Sequence, residues 1–239
     1  MAKRITCSNS KNIFYLLWGK PGEDVFTVSR HDHIIDYEHG KCNGSKLYDM
    51  RQFQFEFYKQ HPLNKHHVCT SCYIKIVFPF LADLLGFKYN KDDFELKEYI
   101  ADKMDCSFLW PKQDYKWTVS INQEVTAKHE GFECLINIDG KYPGCKDSAY
   151  HKLFCSSHEC CKITNDTLTE GKTLFISGDS YMIPVIPFLA CYFKEIVFLD
   201  NRSQKVSNVP YYEDKVFDYV IIALSEFGGI NKFLGLNFY

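Results

Sequence analysis

"LFISGDSYM", residues 174–182, decides how the chain is read. An apolar run rich in strand formers stops at Gly178, and Asp179 and Ser180 stand where a new apolar segment begins. That is the pattern of a buried strand turning into a helix. At such a turn the first helical N–H groups have no internal partner and carry the positive end of the helix dipole, so they suit a developing oxyanion. Serine is also a favoured helix N-cap. On these residues alone Ser180 is a candidate nucleophile and equally a candidate cap.

Working outward, "KTLFISG" (172–178), "EIVFLD" (195–200) and "DYVIIALSE" (218–226) read as strands. "YMIPVIPFLACYF" (181–193) reads as a helix despite two prolines near its start. A strand, helix, strand succession implies parallel pairing with right-handed crossovers, hence an α/β layer fold. In such sheets the active crevice lies beyond the carboxyl ends of the strands, which is where Ser180 falls. Upstream, "NIFYLLW" (12–18) reads as a buried strand and "VFTVS" (25–29) as a short one. The spacing of Leu47, Met50, Phe53 and Phe57 predicts a helix over 45–58. "CTSCYIKIVFPFLADLLGF" (69–87) predicts a longer apolar helix, strained by Pro79 and stopped by Gly86. From 91 to about 170 the character changes: "FELKEYIADKM" suits a helix, "YKWTVSINQEV" and "FECLINI" alternate like antiparallel strands, and the rest is polar. We expect this stretch to be an insertion or lid on a single domain spanning 1–239.

At 239 residues the chain can bury one sizeable core, and its 46% hydrophobic and 24% charged residues are ordinary globular usage. The 28 basic and 30 acidic residues leave a net charge of −2 with no long block of either sign, which argues against a nucleic-acid partner. No run reaches the length of a membrane span. The start, "MAKRITCSNSKNIFYLLWGK", breaks into polar residues too early for a secretory signal, so a cytoplasmic setting is expected, with a periplasmic or extracellular one left open. Eleven cysteines is an odd number, and free, mostly buried thiols are the expectation.

A serine hydroxyl needs a base within hydrogen-bond reach. "HPLNKHHVCTSCYI" (61–74) supplies candidates: His66 and His67 stand at the start of the long helix, with Asn64 two residues before His66. A neutral imidazole can take the Ser180 proton on one nitrogen while another group holds the second nitrogen's N–H and sets the tautomer. The amide oxygen of Asn64 can accept that bond.

These two stretches, in their order and spacing, resemble the alginate O-acetyltransferase family of SGNH-hydrolase-like proteins, with its related capsule and exopolysaccharide acetyltransferase domains. That family carries Asp-x-His, often followed by Trp and a small-residue-plus-Tyr helix start, upstream of a strand ending in Gly-Asp-Ser. Aligned on "CYI", Asn64 stands at the family's Asp, His66 at its His and His67 where Trp is usual. "LFISGDSYMIPVIPFLACYFKEIVFLDNR" matches the nucleophile block, with Arg202 on a basic residue that tends to follow the next strand. The resemblance covers about residues 12–230. It implies an SGNH-hydrolase-like parallel sheet flanked by helices, and acetyl transfer to carbohydrate, or acetyl-ester hydrolysis, through an acyl-serine. Ser180 would attack, His66 would shuttle the proton and Asn64 would orient it, while Asp179, Tyr181, Arg202 and His67 would face substrate. The partners implied are a carbohydrate acceptor and an acetyl donor, with membership of a larger polysaccharide-synthesis assembly left open. No cofactor and no metal are expected.

Two alternatives stand beside this. Asp32 in "RHDHIIDYEH" could supply the carboxylate that Asn64 lacks, and a shifted register would place Lys65 and His67 at the motif. His66, His67, Cys69 and Cys72, with Cys155, His158, Cys160 and Cys161, could instead close a tetrahedral zinc site.

Overall fold

A computed structural model of the chain describes residues 3–18, 46–49, 70–101, 104–121, 124–130, 160–178, 182–200, 215–225 and 236–238. Thirteen strands fall in this set. They are β1 (Lys3–Cys7), β2 (Ile13–Trp18), β3 (Lys46–Asp49), β4 (Phe94–Ala101), β5 (Met104–Pro111), β6 (Lys116–Ile121) and β7 (Glu124–Glu130), then β8 (Cys160–Asn165), β9 (Thr173–Gly178), β10 (Glu195–Asp200), β11 (Val216–Phe217), β12 (Tyr219–Ser225) and β13 (Leu236–Phe238). Two α-helices accompany them, α1 (Thr70–Leu85) and the single turn α2 (Ile186–Leu189).

The main sheet has eight strands in the order β3-β2-β12-β9-β10-β8-β6-β7. Its first five strands pair in parallel and the last three run antiparallel. This mixed sheet with few helices is compatible with an α/β class. The runs that form its centre have alternate residues packed on opposite faces, and both faces are apolar, as expected of buried parallel strands. One face carries Leu16, Leu174, Ile176, Ile196, Phe198, Ile221 and Ala223 and is covered by α1 and α2. The other carries Ile13, Phe175, Val197, Val220 and Ile222, packed against Cys7 and Phe217. Those last two residues come from β1 and β11, which with β13 form a second, three-stranded sheet.

Helix α1 buries Val77, Phe78, Leu81, Ala82 and Leu85, an i, i+1, i+4, i+5, i+8 stripe. It runs through Pro79 and ends where expected. Gly86 adopts φ 68°, its N–H donates to Asp83 O (3.2 Å) and the Phe87 N–H to Ala82 O (3.1 Å). This left-handed cap favours glycine. Among the described residues no helix is long and apolar enough to cross a membrane.

Three local expectations need correction. Lys46–Asp49, read as the start of a helix, is strand β3, paired in parallel with β2 from Phe14↔Lys46 to Leu17↔Asp49; the remainder of 50–58 lies outside the described residues, as does 25–29. A sheet edge offering backbone partners outweighs a helical apolar spacing this short. "FELKEYIADKM", also read as a helix, supplies β4, which forms a hairpin with β5 in the register Phe94↔Pro111 to Ala101↔Met104. Phe94 and Leu96 fit a period of two as well, and the partner "CSFLWP" is rich in strand formers. The helix expected over 181–193 is confined to a 3-10 turn at Ile183–Val185 and α2. Pro184 and Pro187 bring no N–H, and the Ala190 carbonyl at the end of α2 is taken by side chains from elsewhere. Within 91–170, strands β6, β7 and β8 continue the main sheet beyond β10.

The amino end of β9 is tied by Asp218. Its carboxylate accepts from the Thr173 N–H (2.8 Å) and hydroxyl (3.0 Å), and Lys172 Nζ stands 3.4 Å away. Partial burial works to raise the Asp218 pKa, but these donors outweigh it and hold the group below its ordinary 3.8. A depressed folded-state pKa contributes stability that is complete above 3.8 and is lost as pH falls through the folded value. Asp218→Asn is therefore expected to cost about 1–2 kcal/mol at pH 7, a value kept low because the group is partly exposed. The thermal midpoints of variant and parent should converge as pH drops below 3.8. A gap that stays constant down to pH 2 would contradict this account.

Candidate functional site

The site expected from the sequence lies at the carboxyl end of β9, and its frame is described on three sides. Strand β9 enters as Leu174, Phe175, Ile176, Ser177 and Gly178, all buried. At Gly178 space is the constraint: a Cβ there would meet Met182 Cγ at 2.7 Å and Ala223 Cβ at 3.3 Å. The strand can therefore end only in glycine while Met182, fully buried, folds back across it. The 3-10 turn and α2 follow at once, with Ile183, Val185, Ile186, Phe188 and Leu189 buried.

The neighbouring strand places a carboxylate at the same level. Asp200, the last residue of β10, is paired with Gly178 and is fully buried. It shares a face with Ile196 and Phe198, two and four residues earlier on the strand, and that face is the one covered by α1. In the sequence an acidic residue closing an apolar run looks like the start of a solvated turn, so the burial of Asp200 carries no sequence signal. Ser177, on the opposite face of β9, is fully buried, and its Oγ has no hydrogen-bond partner among the described residues.

Asp179, Ser180 and Tyr181 lie outside the described residues, as do Asn64, His66, His67, Arg202 and Asp32. What the structure brings together is their flanks. Gly178 and Met182 bracket the Ser180 tripeptide, Asp200 precedes Arg202 by two, and α1 begins three residues after His67. Helix α1 packs against the 3-10 turn at 183–185, with Val77, Phe78 and Leu81 in the same core as Met182 and Ile183. The helix that follows the histidine block thus rests on the turn that follows Ser180.

Of the cysteines considered as zinc ligands, Cys161 is buried on the α1 face of the sheet, in the same core cluster as Ile163, Phe188 and Phe198. Cys72 lies within α1 and Cys160 begins β8; Cys69, Cys155, His158, His66 and His67 are outside the described residues. Cys7 and Cys191 are in no disulfide and are buried, and burial pushes the Cys191 thiol well up from its ordinary value.

No family model matches the chain, and no curated protein matches it in sequence. Its fold is similar to that of a DHHW family protein from Eubacterium siraeum, with a TM-score of 0.65 at 15% identity over 95% of this chain and 82% of the other. It is also similar to PatB1 from Bacillus cereus solved with a sulfonyl adduct, with a TM-score of 0.59 at 14% identity over 95% of this chain and 87% of the other. A second PatB1 structure gives a TM-score of 0.51 at 14% identity over 90% of this chain and 83% of that one. At such identities the likeness concerns the fold.

Proposed function

We propose that the chain is a carbohydrate O-acetyltransferase or acetylesterase of SGNH-hydrolase type, one domain over 1–239 with an insertion near 91–170, working through an acetyl-Ser180 intermediate. The observation that carries this reading is the end of β9. A buried parallel strand stops at a glycine with no room for a Cβ, and Asp179-Ser180 follow immediately. The similar fold of PatB1 adds support, since that protein was captured with a sulfonyl adduct, and sulfonyl electrophiles report activated nucleophiles.

In this reading Ser180 Oγ attacks the acetyl carbonyl carbon as His66 takes the hydroxyl proton. The carbonyl oxygen becomes an oxyanion, stabilised by the Ser180 N–H. Collapse breaks the bond to the donor oxygen, which leaves with the proton from His66. A sugar hydroxyl or water then gives its proton to His66 and attacks the acetyl-serine, releasing the Ser180 hydroxyl. Asp179, Tyr181, Arg202 and His67 would bind substrate in this reading, with Tyr181 and Arg202 serving the acceptor or the oxyanion region.

One residue favours a second reading, a glycan- or partner-binding relative with impaired catalysis. Asn64 stands where the resembling family has an acid, and in a serine triad Asp to Asn lowers turnover by about 10⁴. A fluorogenic acetyl ester, assayed beside binding to acetylated and de-acetylated polysaccharide, separates the two. Hydrolysis lost in His66→Ala supports the enzyme; no hydrolysis by the parent together with retained glycan binding supports the second reading.

A further inference from the structure

Tyrosines from three separate segments gather at the amino end of the parallel strands: Tyr89 follows α1, Tyr115 precedes β6 and Tyr192 precedes β10. We propose that these tyrosines and Asp93 form a second site, one that binds a sugar unit of a neutral glycan. The site stands apart from Gly178, since β9 and β10 run six residues each between the two ends of the sheet, a span of about 16 Å. It goes beyond the acyl-serine reading and does not depend on it.

Each ring is held in place by another aromatic. Tyr192 stacks on Phe87 with centroids 4.6 Å apart, Tyr115 stacks on Trp117 at 5.2 Å, and Tyr89 meets Phe78 edge-on at 5.0 Å. Asp93 is held by Asn90, whose Nδ2 donates to its carboxylate at 3.3 Å. Yet the three tyrosines are only half-buried, and none of their hydroxyls has a hydrogen-bond partner among the described residues. The hydroxyls share one neighbourhood. Burial raises the pKa of each phenol, the Asp93 carboxylate raises all three further, and Tyr192 also feels Tyr115 and Tyr89. At neutral pH they stay protonated, as donors and acceptors beside an acceptor-only carboxylate. A few convergent polar groups set in apolar walls are the makeup of a ligand site. The chemistry selects the ligand. A sugar ring carries hydroxyls at its rim and apolar C–H groups on its faces, which tyrosines match with a polar tip on an apolar ring. Charge on the same segments is balanced, with exposed Lys88, Lys91 and Lys112 against exposed Asp92, Asp93 and Asp114, so the local field favours neither a cation nor an anion.

Isothermal titration calorimetry of the purified full chain against oligosaccharides derived from cellulose, xylan, mannan and chitin tests this. At least one is expected to bind, and Tyr89→Phe, Tyr115→Phe and Tyr192→Phe, which remove only a hydroxyl, are each expected to weaken it about five- to tenfold. Since those hydroxyls make no bond to the described residues, the thermal midpoint of each variant should stay within about 2 °C of the parent. The triple phenylalanine variant should lose at least about a hundredfold in affinity. No binding of any of these sugars at about 10 mM overturns the inference. A sugar bound equally by the parent and the triple variant also overturns it, because the glycan is then held elsewhere. So does a site that takes tetramethylammonium and no sugar. Binding needs no turnover: a parent that binds sugar yet hydrolyses no acetyl ester defeats the acyl-serine reading alone, and one that hydrolyses ester through Ser180 without binding sugar defeats this site alone.

Discussion

Replacing Ser180 by alanine is expected to lower acetyl-ester hydrolysis by at least about 10⁴-fold while leaving the thermal midpoint within about 2 °C of the parent. The size follows from covalent catalysis. Without the hydroxyl no acyl-enzyme forms, and what remains is the small acceleration from oxyanion stabilisation and binding. The competing structural role predicts the reverse pattern. If Ser180 only caps the turn that leads into α2, removing its side-chain acceptor costs about 1 kcal/mol. For a protein of this length that is about 2–4 °C in thermal midpoint, with hydrolysis per folded molecule unchanged. Steady-state kinetics and calorimetry on one variant therefore distinguish the two roles.

The second large effect is structural. Trp117 in β6 is 1% exposed, stacks on Tyr115 with centroids 5.2 Å apart, and donates its indole N–H to the Ala190 carbonyl at 3.3 Å. Asn165 in β8, fully buried, donates to the same carbonyl at 2.9 Å, and its Oδ1 accepts from the Thr167 N–H at 3.0 Å. Two antiparallel strands thus satisfy the end of α2, the element that directly follows the Ser180 segment. Trp117→Ala empties a large buried volume and should cost about 3–5 kcal/mol, or about 6–20 °C in thermal midpoint. Trp117→Phe, which keeps most of the ring and loses only the N–H, should cost less than half as much. A shift of under about 3 °C for Trp117→Ala would show that the antiparallel strands unfold independently of the parallel ones.

The parts of the fold legible in the sequence were those where local pattern and burial agree. "IFYLLW", "TLFISG", "EIVFLD" and "YVIIALS" are apolar on both faces because both faces of the sheet are covered, so unbroken apolar runs identified β2, β9, β10 and β12. The end of α1 was legible because Gly86 takes a backbone conformation that other residues resist. Strands β3 and β4 were misread because their apolar spacing suits a helix as well as a strand, and only pairing with β2 and β5 decides between them. The joining of β8, β6 and β7 to the edge of the parallel strands was not legible either. Antiparallel alternation tells that strands pair, not which strand they pair with.

At the candidate site, Gly-Asp-Ser was visible as a motif, and the tight contact of Gly178 with Met182 and Ala223 gives a steric reason for its glycine. Asp200 was not visible, since its burial arises from neighbours distant in sequence: β9 on one side and the helix layer above. The same holds for the packing of α1 on the turn at 183–185, which sequence spacing cannot supply.

The proposed chemistry requires that the His66 imidazole activate the Ser180 hydroxyl. Treating the protein with an aryl sulfonyl fluoride and mapping the modified residue by peptide mass spectrometry tests it most directly. The account predicts a single sulfonyl group on Ser180, with labelling slowed at least about a hundredfold in His66→Ala. Labelling of Ser180 at the same rate in both proteins, or an unmodified Ser180 in a protein that hydrolyses acetyl esters, would contradict it.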